Sequence, residues 1–154
     1  KWKEKSCLDP AYLNRPVRII NQDGGRTLYE HRGCAHHVVV GAGPNSQITA
    51  ANGNWRIKST DLGYRILNVT SSRALYAHQD GNWQDRFGSD WILEGAYWNI
   101  TQNPDGSYRI VNTESQRCLY AHPAGTWEEG VGAETHASTH GCWVFIFSVV
   151  VDEP

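Results

Sequence analysis

The chain has 154 residues, 40% of them hydrophobic, enough to bury a core within one domain. Its 14 Lys and Arg against 16 Asp and Glu give a formal net charge of -2. The basic excess of a nucleic-acid binder or a heparin-gripping growth factor is therefore missing. No apolar run approaches a membrane span, Val149 to Val151 being too short, so neither a nucleic-acid partner nor membrane insertion is expected.

Residues 1–16 read as an N-terminal extension. The chain opens at Lys1, contains no Met and shows no charged-then-apolar leader, which reads as the mature form of a secreted protein. Two Asn-x-Thr sequons, Asn68-Val69-Thr70 and Asn99-Ile100-Thr101, are compatible with that compartment. From Val17 the chain repeats itself. Val17 to His31 is VRIINQDGGRTLYEH, Tyr64 to His78 is YRILNVTSSRALYAH, and Tyr108 to His122 is YRIVNTESQRCLYAH. The three align without a gap, about 45 residues apart.

In the first copy a strand from Val17 and a turn at Asp23-Gly24-Gly25 lead to a second strand ending at His31. A third strand is expected at Ser46 to Thr49 and a fourth at Trp55-Arg56-Ile57. In the second copy Tyr64, Ile66 and Asn68 alternate with Arg65 and Leu67, and Ala74 to His78 follows as the second strand. Asp90 to Leu93 and Trp98-Asn99-Ile100 supply the other two. The third copy follows the turn Asn103-Pro104-Asp105-Gly106 and adds Glu134 to Ala137 and Trp143-Val144-Phe145. The expected fold is all-β: a single β-trefoil domain over 1–154, with three pseudo-symmetric repeats of about four strands at 17–58, 64–101 and 108–148. Six strands would close a barrel and three hairpins would cap it, leaving no sheet edge. A three-bladed propeller falls short of the usual four blades, and helical repeats lack the 3.6 period.

The unit Y-R-I-x-N … R-x-L … W resembles the ricin-type trefoil lectins, and Asn52-Gly53-Asn54-Trp55-Arg56-Ile57 looks like their closing Q-x-W strand. Those lectins usually carry Asp after the Leu, where this chain has Tyr29, Tyr76 and Tyr120, so their Asp-based galactose site does not carry over. His122-Pro123-Ala124-Gly125 looks like the H-P-x-G-G segment of mussel trefoil lectins, with Thr126 in place of the last Gly. His78-Gln79-Asp80-Gly81 matches more loosely, and His31-Arg32-Gly33 more loosely still. The chain as a whole is similar to the trehalose-binding trefoil lectins of pearl oysters. The resemblance implies a lectin for a trehalose-like disaccharide or a galactoside.

The residues themselves point to the same chemistry. A sugar site needs hydrogen-bonding groups beside an aromatic ring, and Gly lets backbone approach the ligand. The loop after the second strand of the second copy offers His78, Asp80, Gly81, Asn82 and Trp83. That of the third copy offers His122, Gly125, Trp127 and Glu128. Across each hairpin, Asp90 in one case and Glu134 and His136 in the other are placed to face the same pocket. The first copy lacks the Trp and has Cys34, His36 and His37 instead, so it reads as degenerate.

Bland readings stand beside these. Leu28, Leu75 and Leu119, the Ile of each first strand, and Trp55, Trp98 and Trp143 read as core. Arg26, Arg73 and Arg117 read as carbonyl caps, and His31 as a structural donor. His78 and His122 are either sugar ligands or such donors, and Tyr76 and Tyr120 either line the site or cover the barrel. His136, His140 and Cys142, and the pair His36-His37, do not have diagnostic zinc spacing, and neither metal nor cofactor is expected. G-x-S-x-G is absent, and a shallow hairpin pocket excludes water poorly, so an enzyme is not expected. The rival from another class is a trefoil protease inhibitor of the Kunitz soybean type, which needs one distinctive loop rather than repeated loop chemistry.

Four cysteines, at 7, 34, 118 and 142, form no C-x-x-C pair. Ricin-type lectins often carry a Cys where Cys118 stands and bridge it to a later one, so the resemblance implies Cys118–Cys142, although Cys142 directly precedes Trp143. Cys7–Cys142 is the competing pair, since trefoil termini lie close together. With the first pair, Cys7 and Cys34 pair together, remain free or cross to another subunit; with the second, Cys34 is the linking thiol. A covalent homodimer through Cys7 or Cys34 is expected, which would supply the multivalency of an agglutinin.

Overall fold

The computed structural model describes residues 8–31, 38–43, 53–77, 87–90, 96–121, 131–134 and 141–148, with backbone alone at 31, 38–43, 87–90 and 131–134. The architecture is almost wholly β. The strands, in chain order, are β1 Val17–Asn21, β2 Thr27–His31, β3 Val38–Gly43, β4 Trp55–Thr60, β5 Gly63–Asn68, β6 Ala74–Ala77, β7 Phe87–Asp90, β8 Trp98–Gln102, β9 Tyr108–Asn112, β10 Cys118–Ala121, β11 Val131–Glu134 and β12 Trp143–Phe147. A 3-10 helix, Pro10–Tyr12, precedes them.

Six strands close a ring. β1 pairs with β12, β12 with β9, β9 with β8, β8 with β5, β5 with β4, and β4 returns to β1. Closure leaves no barrel edge open to another chain. The three closing bridges recur at matching positions of the sequence repeat: Val17 opposite Trp55, Tyr64 opposite Trp98, and Tyr108 opposite Trp143. The remaining strands form the antiparallel hairpins β2–β3, β6–β7 and β10–β11. β3 and β7 pair directly, and β11 lies against both.

Strand alternation explains the core. Val17, Ile19 and Asn21 of β1 are buried while Arg18 and Ile20 between them are half-buried, and β9 repeats the pattern. Ile19, Ile66 and Ile110 are sealed from solvent together with Leu28, Leu75 and Leu119. Each such side chain contributes about 1.5–3 kcal/mol by leaving water. Trp55, Trp98 and Trp143 are likewise fully buried and join the same cluster.

Residues 8–14, before β1, are part of this packing. Leu8 belongs to the core cluster. Tyr12 packs its ring 5.2 Å from that of Phe147 and 5.6 Å from that of Phe145. Leu13 bridges Ile57 in parallel, the Asn14 N–H donates to the Ile57 carbonyl at 2.9 Å, and the Arg56 guanidinium donates to the Asn14 carbonyl at 2.8 Å. The backbone N–H of Asp9 reaches the Tyr108 hydroxyl at 3.3 Å, and burial pushes that phenol's pKa up.

Two expectations are corrected. The third strands start earlier in the chain: β3 is Val38–Gly43, β7 is Phe87–Asp90 and β11 is Val131–Glu134. Residues 46–49, 91–93 and 135–137 lie outside the described residues. A propensity reading passes over the observed strands because each carries an interior Gly, which weakens a strand unless something packs over it. In each hairpin that Gly stands opposite a Tyr: Gly41 opposite Tyr29, Gly88 opposite Tyr76, and Gly132 opposite Tyr120. The second correction concerns the cysteines. Cys118 and Cys142 are buried thiols, joined neither to each other nor, for Cys142, to Cys7. Cys118 Sγ lies 3.6 Å from the Leu119 carbonyl and 3.8 Å from that of Gly141, whereas Cys142 Sγ accepts from Asn103 Nδ2 at 3.6 Å. Each sulfur is engaged with different neighbours. Cys7 and Cys34 lie outside the described residues.

Candidate functional site

The hairpins that carry the candidate loops begin with a turn the sequence repeats. Asn68 ends β5 and donates its N–H to the Arg73 carbonyl at 2.9 Å; Asn112 does the same to Arg117 at 2.9 Å, and Asn21 to Arg26 at 2.8 Å. Asn68 Oδ1 then accepts from the N–H groups of Thr70 and Ser71, and Asn112 Oδ1 from those of Glu114 and Ser115. An Asn side chain that caps its own turn explains why Asn recurs here. The backbone carbonyl of the recurrent Arg closes this turn in all three copies.

The second strand runs from that turn toward the loop. Leu75 and Leu119 point into the barrel, while Tyr76 and Tyr120 are only half-buried. The register fixes where the loops leave the hairpins. Ala77 is opposite Phe87 and Ala121 opposite Val131, so the two strands of each hairpin are joined by nine residues, 78–86 and 122–130. Paired positions on the two hairpins thus correspond one to one: Tyr76 with Tyr120, Gly88 with Gly132, Asp90 with Glu134. Gly88 and Gly132 bring no side chain to the face that Tyr76 and Tyr120 occupy. The result is a half-open tyrosine beside bare backbone at the root of each loop. The x-Gly-x pattern opposite a recurrent Tyr was the signal for this feature, and it shows only once the hairpin register is known.

Of the expected sugar ligands, His78, Asp80, Gly81, Trp83, His122, Gly125, Trp127 and His136 lie outside the described residues. Asp90 and Glu134 are placed at the ends of β7 and β11, opposite Ala74 and Cys118. That is three residues from the loop junctions at Phe87 and Val131, about 10 Å along an extended strand. The two acids therefore sit at the turn end of each hairpin, and Gly88 and Gly132 lie nearer the loops.

The hairpin of the first copy differs. Tyr29 is only 7% exposed, and Gly43 stands where the others have Asp90 and Glu134. Glu30 replaces Ala77 and Ala121 and is wholly buried, its carboxylate accepting from Ser71 Oγ at 2.8 Å and lying 3.9 Å from the Arg73 guanidinium. This face is thus tied to the turn of the second copy rather than open at its tyrosine. Among the metal candidates, Cys142 is a buried thiol bonded by Asn103, and His36, His37, His136 and His140 lie outside the described residues.

No family model matches the chain, and no curated protein matches it. Solved structures do. A salivary protein of the Cysteine and Tryptophan-Rich family from Culex quinquefasciatus superposes with a TM-score of 0.70 at 22% identity, over 92% of this chain and 99% of that one. SeviL, solved with the asialo-GM1 saccharide, gives 0.69 at 16% identity, over 88% and 98%. The BEL β-trefoil gives 0.69 at 17% identity, over 88% and 94%. The six-stranded ring with its added hairpins is a β-trefoil fold.

Proposed function

We propose that this chain is a secreted, non-catalytic lectin, built from three units at 17–58, 64–101 and 108–148, that binds a small sugar at two of them. The observation that carries this reading is the equivalence of the β6–β7 and β10–β11 hairpins. Both hold a half-buried Tyr opposite Gly, an acid at the same register position, and a nine-residue loop with Trp five residues after a His. Repeated loop chemistry suits repeated binding of one small ligand, whereas a protease inhibitor needs a single distinctive loop. SeviL, of the same fold, was solved with a saccharide, which supports the class of ligand.

In this reading His78 and His122 donate to sugar hydroxyls, and Asp80 accepts from them. Gly81 and Gly125 admit the ligand close to backbone, and Trp83 and Trp127 stack on its C–H face. Asp90 and Glu134 stand at the turn end of each hairpin, about 10 Å from the loop junctions, so in this reading the loop residues alone hold the sugar. The ligand is a trehalose-like disaccharide or a galactoside. Two sites per chain, and two chains joined through Cys7 or Cys34, supply avidity without new contacts.

Titration with trehalose, galactose and lactose, beside a trypsin-inhibition assay, tests the proposal. Binding of one sugar with two sites per chain is expected, with no inhibition. Trp127→Ala or His122→Ala should remove one site, at a cost of about 1–3 kcal/mol, and leave the melting curve in place. Unchanged binding by both variants would refute the site, and trypsin inhibition without sugar binding would refute the function.

A further inference from the structure

We infer that Asn99 is the N-glycan acceptor of this chain and that Asn68, the other sequon asparagine, is not. The inference rests on the secreted reading above, because N-glycans are added only in the secretory pathway.

The two sequons are alike in sequence and opposite in structure. Asn68 is 1% exposed and ends β5. Its Oδ1 is held by the backbone N–H groups of Thr70 at 3.1 Å and Ser71 at 3.3 Å, while its own carbonyl accepts from Ser72 at 2.8 Å. The equivalent Asn21 and Asn112 are also sealed from solvent. The sequon at 68–70 is therefore a by-product of turn chemistry: the repeat demands the Asn, and a turn Thr happens to follow two residues later. A glycan on the Asn68 amide nitrogen would have to leave from inside this closed turn.

Asn99 has no such duty. It lies in mid-strand on β8, backbone-paired with Val111, between Trp98 and Ile100, which are buried. Alternation turns Asn99 and Thr101 outward together, and both are exposed. The equivalent positions hold Arg56 and Val144, so the repeat imposes no asparagine here. An exposed acceptor and an exposed hydroxyl on the same outer face of the barrel wall leave room for a bulky, hydrated substituent.

The donor is an oligosaccharide linked to a lipid pyrophosphate. The Asn99 side-chain amide nitrogen forms a bond to C1 of the first sugar and loses one proton. The bond from C1 to the pyrophosphate oxygen breaks, and lipid pyrophosphate leaves. The transfer meets the chain while it is still extended, so both sequons are presented. Chains modified at Asn68 cannot close the β5–β6 turn, so the chains that fold and leave the cell carry no glycan there.

The test is secretion of the full chain from a eukaryotic host with a cleavable leader added, which makes the result independent of the protein's natural compartment. Glycopeptide mapping and endoglycosidase treatment of the secreted protein should find one glycan, at Asn99. Asn99→Gln and Thr101→Ala should each abolish it. Thr70→Ala, which removes the other sequon without touching the Asn68 cap, should leave it unchanged. A glycan at Asn68 in secreted, folded protein, or an unmodified Asn99, overturns the inference. Sugar binding is assayed separately on unglycosylated protein, so a failed lectin reading and a failed acceptor assignment give different results.

Discussion

The indole N–H of Trp143 donates to the backbone carbonyl of Leu119 at 3.0 Å, where neither residue has any solvent exposure. Trp98 makes the same bond to Leu75 at 3.0 Å, and Trp55 to Leu28 at 2.9 Å. Each ring fills the barrel and also satisfies a carbonyl on a hairpin strand, so it joins barrel to cap. Trp98→Phe keeps an aromatic ring but leaves the Leu75 carbonyl buried without its donor. The loss should be about 1–3 kcal/mol from that carbonyl, with a further cavity cost for the smaller ring. Urea denaturation should show a lower midpoint at unchanged slope. An unchanged midpoint would mean that the bond adds nothing to stability.

The three turns after the first strand of each copy end in a left-handed residue. Gly25 has φ 71, Ser72 φ 63 and Gln116 φ 63. Each donates its N–H to the carbonyl of the Asn four residues earlier. Only the first is glycine, so the other two carry the left-handed cost of an L residue, about 1–2 kcal/mol. Replacement by Gly returns about 0.4–1 kcal/mol of that through the more flexible unfolded chain. Ser72→Gly should therefore stabilise the protein by about 0.5–1 kcal/mol, raising the melting temperature. Gln116 is a poorer test, since its side chain also donates to the Thr113 carbonyl at 2.7 Å. Gly25→Ala should do the reverse through backbone strain alone, because a Cβ there meets nothing within 4 Å.

These turns show why some of the structure is legible in the sequence and some is not. Ile19, Ile66 and Ile110, the three Leu and the three Trp recur because one packing environment recurs, so pattern alone identifies them as core. Asn21, Asn68 and Asn112 recur for a turn cap, a role the pattern marks without explaining. Gly88 and Gly132 read as strand breakers until the register sets them opposite Tyr76 and Tyr120. Leu8 and Tyr12 belong to no repeat, and Tyr12 packs on Phe147, 135 positions away, beyond the reach of local periodicity. Glu30 breaks the repeat, and its reason is a partner turn forty residues on, at Ser71 and Arg73.

Acid should reveal the turn between β8 and β9. The Asp105 carboxylate is held below the usual carboxylate range, chiefly by the Ser107 hydroxyl at 2.6 Å, then by the Ser107 backbone N–H at 2.9 Å and by Gln22 at 3.2 Å. A group whose pKa is depressed on folding contributes its stability above the unfolded value, about 3.9 for Asp, and loses it as pH falls through the folded value. Asp105→Asn should therefore be less stable than the parent at pH 6, and the gap should close below the ordinary carboxylate range. Denaturant midpoints for both proteins at pH 6 and pH 2.5 check this. A gap that persists at pH 2.5 would assign the effect to the lost geometry rather than to the charge.

The buried thiols give a prediction that separates structure from family expectation. Cys118 is 6% exposed and Cys142 9%, and their sulfurs face different partners: backbone carbonyls and the Arg109 guanidinium for the first, the Asn103 amide for the second. A thiolate must reach solvent to attack a thiol reagent, so both should be silent in the native state. In a Cys7→Ser, Cys34→Ser variant prepared without reductant, an Ellman titration should count almost no thiol in buffer and two per chain in guanidinium. No thiol in guanidinium would mean that Cys118 and Cys142 are joined after all. The parent keeps Cys7 and Cys34, the residues proposed to link subunits, and its gel should show a dimer band that reductant abolishes. A monomer band alone in both lanes would remove the covalent link while leaving the count for Cys118 and Cys142 intact.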